Sequence, residues 1–174
     1  MPRFQLVSLP QQSFPEQFKN KARWNGARSR RHADFYTIGY AGRNICEFVS
    51  LLNDAGISTL VDIRHTPISH KPEFSKAYLK RYLENNGLEY MHRPDLGVPR
   101  DVRAEAVGQK TRDIIWQWYD SYVVPRLAGR NLDEFFNWAD HPVALMCVEC
   151  DPSACHRHRL AIALERHGLR GYDL

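Results

Sequence analysis

Between Cys147 and Arg159 the chain reads Cys-Val-Glu-Cys-Asp-Pro-Ser-Ala-Cys-His-Arg-His-Arg, crowding three thiols, two carboxylates, two imidazoles and two guanidiniums into one short segment. The apolar run before it predicts a strand, and the Pro152 turn followed by a helical pattern predicts that the segment passes into a helix N-terminus. Free amides at such an end attract anions and lower the pKa of a nearby thiol. Cys155 is thus a candidate nucleophile with His156 favouring its thiolate, and Cys147 at the strand end is the alternative. Glu149 and Asp62 are candidates for acid–base work, while Arg64 and Arg157 are expected on phosphate. Tyr40, His65 and Ser69 lie at strand ends or in the following loop, where they are expected to line a ligand site. The plainer alternatives are that both cysteines are small buried hydrophobes and that Asp62 and Arg64 form an ion pair.

The same segment also holds ligand types for zinc: Cys147, Cys150, Cys155 and His158 are the candidate set. Its spacing is poor, because structural zinc motifs bring together two separated ligand clusters. No cofactor is therefore expected, with zinc as the alternative.

These residues need a scaffold, and the hydrophobic pattern supplies one. Phe35 to Tyr40 form an apolar, β-branched run, and Ile45, Phe48, Leu51 and Leu52 follow at helical spacing up to Gly56. Ser58 to Arg64 is a nearly continuous apolar run, as expected of a strand covered on both faces. A helix capped by Ser75 and stopped by Gly87 leads to a strand at Leu88 to His92. Ile114, Ile115, Trp118, Tyr122 and Val123 predict a helix within 111–127, and Asn131 with Glu134 resembles a capping box ahead of Phe135, Phe136 and Trp138. Pro142 to Glu149 is a buried strand, 155–167 a helix, and Gly171 to Leu174 a last short strand. The alternation predicts an α/β fold: a mainly parallel sheet with helices on both faces, a Rossmann-like or rhodanese-like three-layer arrangement. Ligands of such sheets bind outside the carboxyl ends of the strands, where the candidate residues collect.

Composition bounds the rest. The 174 residues suffice for one substantial core, and 43% hydrophobic with 25% charged residues is ordinary for a globular chain. The net charge of +4 is uneven. Residues 1–34 hold seven Lys/Arg against two acids, a net +5, and the remaining seventeen Lys/Arg and eighteen acids leave −1 for residues 35–174. The reading is a basic, flexible arm over 1–34, able to contact nucleic acid, and one α/β domain over 35–174. No apolar span or export signal is visible, so a cytoplasmic chain with reduced thiols and no membrane partner is expected. The oligomeric state is not encoded in any of these features.

Taken together, Tyr36-Thr37-Ile38-Gly39-Tyr40, Leu60-Val61-Asp62-Ile63-Arg64 with Pro67, Pro72-Glu73-Phe74, Leu96-Gly97, and Leu145-Met146-Cys147-x-Glu149 with Cys155-His156-Arg157 resemble the mostly bacterial family called domain of unknown function 488. The resemblance runs in order through about residues 35–174 and implies the fold and the site rather than a reaction. Tyr40 stands where members usually carry histidine or a small polar residue, and Cys150 and His158 lie outside the usual pattern. A fainter similarity is to rhodanese-like domains, through the Asp-x-Arg strand end and the late cysteine-led anion loop. The resulting expectation is an enzyme acting on a phosphorylated ligand, a nucleotide or nucleic acid, by cysteine- or carboxylate-dependent hydrolysis or transfer. The alternatives are a non-catalytic nucleic-acid-binding module and a zinc-stabilised interaction domain.

Overall fold

The computed structural model describes residues 33–127, 139 and 142–174. The basic arm before Ala33, the Asn131 and Glu134 pair, and the aromatics Phe135, Phe136 and Trp138 lie outside the described residues.

Five strands, β1 (Phe35–Gly39), β2 (Thr59–Asp62), β3 (Glu89–His92), β4 (Val143–Cys147) and β5 (Gly171–Asp173), form one parallel sheet in the order β3-β2-β4-β1-β5. Among the described residues, five α-helices accompany them: α1 (Ile45–Asp54), α2 (Lys76–Glu84), α3 (Arg100–Gly108), α4 (Asp113–Tyr122) and α5 (His156–Arg166). The expected α/β fold with helices on both faces is therefore present. Local chemistry sets the ends: Asn44 caps α1 in a reciprocal capping box with Glu47, and Gly56 and Gly87 adopt positive φ just beyond α1 and α2. None of the helices among the described residues is long and apolar enough to cross a membrane.

Each inner strand splits its side chains between two cores, as a period of two requires. Tyr36, Ile38, Leu60, Ala144 and Met146 pack with Phe48, Val49 and Leu52 of α1 and Leu79 and Leu83 of α2. Phe35, Val61, Val143, Leu145 and Cys147 pack with Tyr119 of α4 and Leu160, Ala161 and Leu164 of α5. Helix α3 has only Ala106 buried and packs on α4. It carries no apolar stripe, so periodicity gives no sign of it.

This topology places the site. The chain leaves β1 and β2 toward the α1/α2 layer and leaves β4, which lies between them, toward the α5 layer. Loops diverge on either side of β4, and a crevice opens at its carboxyl end. Cys147 is the residue at that end.

Candidate active site

Cys147 closes β4 opposite Gly39 and is 3% exposed, facing the α4/α5 layer. Its thiol lies 3.7 Å from Glu149 Oε2, 3.7 Å from His156 Nδ1 and 3.9 Å from Nε2. His156 opens α5; its Nε2 is 3.5 Å from the Ile63 carbonyl, and its ring lies against Tyr119, with centroids 5.3 Å apart. Tyr119 is fixed in turn by donating to the Leu96 carbonyl at 2.9 Å. The Cys147 thiol donates toward Glu149, and in the tautomer that directs Nε2–H at the Ile63 carbonyl, Nδ1 also faces that thiol as an acceptor. A thiol, an imidazole and a carbonyl within reach of that imidazole stand in sequence.

Cys155 is the N-cap of α5 and is 2% exposed. Burial pushes its thiol well above the usual range, and the adjoining Cys147 thiol adds to this, so it stays protonated at neutral pH. The two thiols and His156 bring their ligand atoms within 4.8 Å of one another. Cys150 is exposed, and neither it nor His158 joins this group. His158 is half-buried, and burial, with Arg159 beside it, holds its imidazole below the usual pKa.

Asp62 and Arg64 form a closed pair. Asp62 accepts from Arg64 Nε at 2.8 Å, Arg64 Nη2 at 2.5 Å, the Arg64 amide at 3.1 Å and the Tyr90 hydroxyl at 2.7 Å, and is fully buried. Arg64, 3% exposed, also donates to the Phe74 carbonyl and to Tyr40 Oη, which donates to Ser69 Oγ. Burial works against the Arg64 cation, but its bonds to Asp62 prevail and raise its pKa. Both oxygens of Asp62, the carboxylate expected to do acid–base work, are occupied by these donors, which tie it to the loop after β2. Tyr40 and Ser69 belong to the same anchoring chain, while His65 is exposed at the cleft's rim.

Arg157 departs furthest from expectation. It is the largest fully buried side chain among the described residues. Its Nη1 donates to the Glu149 carbonyl, and its Nη2 donates to the Cys150 carbonyl at 2.8 Å and pairs with Asp173 at 3.3 Å. Expected on phosphate, its guanidinium here ties the 147–155 turn to β5. Gly39 is part of the same junction: a Cβ there would fall 1.8 Å from the Glu149 carbonyl oxygen.

The Cys147 thiol borders an open cleft of about 60 Å³, lined also by Glu149, His156, Arg103, Arg112 and Trp116. Arg112 Nη1 lies 3.8 Å from Glu149 Oε1 and also donates to the Ala154 carbonyl. Arg103 Nε is buried and has no hydrogen-bond partner among the described residues. Sequence reading passed over both arginines, since each is one cation among many on a polar stretch and only the packing of α3 against α4 brings them to the cleft.

Searches of curated proteins and of solved structures find no match. The family model described as Domain of unknown function DUF488 matches residues 44–164, from the cap of α1 to near the end of α5, and the chain belongs to that family.

Proposed function

We propose that this protein is a thiol-dependent enzyme acting on a phosphorylated ligand, with Cys147 as nucleophile and His156 as its base. One observation carries the reading: the Cys147 thiol lies 3.7 Å from both the Glu149 carboxylate and His156 Nδ1 at the edge of an open cleft. Cys155 is set aside because burial keeps it protonated.

In the first step the Cys147 proton passes to His156 Nδ1 and the sulfur attacks phosphorus. The S–P bond forms as the ester P–O bond breaks, and the departing oxygen takes the imidazolium proton. Water then attacks the phosphocysteine, giving one proton to the Glu149 carboxylate. The S–P bond breaks, phosphate leaves, and the Glu149 proton returns to the sulfur, so one ester and one water become one alcohol and one phosphate. Nucleotides and nucleic-acid ends fall within the class, since Trp116 and Ile115 flank the arginines of the cleft.

The test is turnover of an aryl phosphate monoester by the full chain. Cys147→Ser should abolish turnover, and His156→Asn should reduce it about 10²- to 10⁴-fold, both with an unchanged melting curve. Equal turnover by Cys147→Ser and wild type would overturn the reading.

A second reading has its own observation. Cys147, Cys155 and His156 form a compact group of two thiols and one imidazole, which, with both thiols ionised, would hold zinc with no net charge. Cys147 cannot be nucleophile and ligand together. Stoichiometric zinc by elemental analysis, lost in Cys155→Ala, would replace the first reading with this one.

A further inference from the structure

Resting on the reading of Cys147 as a reactive thiol, we infer that Arg103 and Arg112 form the seat for the ligand's phosphoryl group, and that Glu149 occupies this seat until the ligand displaces it.

Three observations converge. The two arginines expected to bind phosphate already have partners: Arg64, which also lines the cleft, is bonded to Asp62, Tyr40 and the Phe74 carbonyl, and Arg157 to the turn and to Asp173. Arg103 lines the cleft with a buried Nε–H that has no acceptor among the described residues. Such a donor is costly unless an acceptor arrives, and a guanidinium fork matches two phosphoryl oxygens. Arg112, from the residue before α4, faces the same cleft, and its charged partner there is the Glu149 carboxylate.

The charges fit this exchange. Three cations, Arg64, Arg103 and Arg112, and one anion, Glu149, line the cleft; the buried Asp62 behind it neutralises Arg64, which leaves Arg103 and Arg112 against Glu149. A dianionic phosphoryl group matches the two arginines once Glu149 gives way. The contact displaced is 3.8 Å long, and Arg112 and Glu149 are 53% and 35% exposed, so breaking it is cheap. Glu149, released from Arg112, remains next to Cys147, where the hydrolytic step needs a carboxylate. Binding of the anion and arming of the site are then one event.

The test uses inorganic phosphate on the full chain, with sodium chloride at matched ionic strength as control. Calorimetry reads binding, and protection of Cys147 from iodoacetamide, located by peptide mass, reads position. Phosphate should bind and protect in wild type. Arg103→Ala and Arg112→Ala should each weaken binding about tenfold or more, Arg103→Lys should recover only part, and Glu149→Gln should bind more tightly. Melting curves confirm that each variant is folded. Undiminished binding in both arginine variants, or protection equalled by chloride, overturns the seat; weaker binding by Glu149→Gln overturns the exchange. Slow alkylation of Cys147 with Arg103-dependent phosphate binding would sink the thiol reading alone, and fast alkylation untouched by phosphate would sink the seat alone.

Discussion

Replacing Arg157 separates a strut from a ligand-binding residue. Arg157→Met keeps the length and apolar stem but removes the donors that serve the Glu149 carbonyl, the Cys150 carbonyl and Asp173. Removing one partner of a buried charged pair typically costs about 3–5 kcal/mol. Two features pull this toward the lower end: Asp173 is 18% exposed and regains water, and the unpartnered Arg157 Nε disappears with the guanidinium. At about 3 kcal/mol, and about 2–4 °C per kcal/mol for a chain of this size, Tm should fall by roughly 6–12 °C. Thermal unfolding followed by far-ultraviolet circular dichroism near neutral pH measures it. A variant melting with wild type but binding phosphate more weakly would refute the strut and return Arg157 to the ligand.

Gly39→Ala should destabilise the protein and slow alkylation of Cys147 together, because the new Cβ meets the Glu149 carbonyl oxygen and Arg157 Nη1. Where a backbone tolerates it, the same change usually stabilises, so the sign of the Tm shift is diagnostic. His158 predicts a pH dependence. Its folded pKa lies below the unfolded value because burial disfavours the cation. Its share of stability is therefore full above about pH 6.5 and lost as pH falls through that value toward the folded pKa. Urea midpoints measured across this window should fall less in His158→Gln than in wild type, and parallel curves would count against it.

The strands and most helices were legible because their apolar residues repeat at the period each element demands: unbroken runs in the covered strands, and spacings of three and four in α1, α2 and α4. The crowded 147–159 segment was legible for a similar reason, since residue types that carry chemistry stood adjacent in the chain. The α3 helix was not, because its pattern is polar and its packing slight. Nor could sequence divide the labour among four arginines, as a guanidinium carries the same charge whether it is capped by carbonyls or faces a cleft. Burial decided that. Arg64, at the wall of the cleft, pairs with the buried Asp62, and Arg157 was drawn inside by Asp173 and the carbonyls of the turn, while Arg103 and Arg112, far from Cys147 in sequence, came to the cleft only through the packing of α3, α4 and α5 on one face of the sheet. The sequence by itself determined most of the elements and which chemical groups are close along the chain; tertiary packing decided which thiol borders the cleft and which partners each cation takes, because desolvation and partner geometry exist only once distant segments meet.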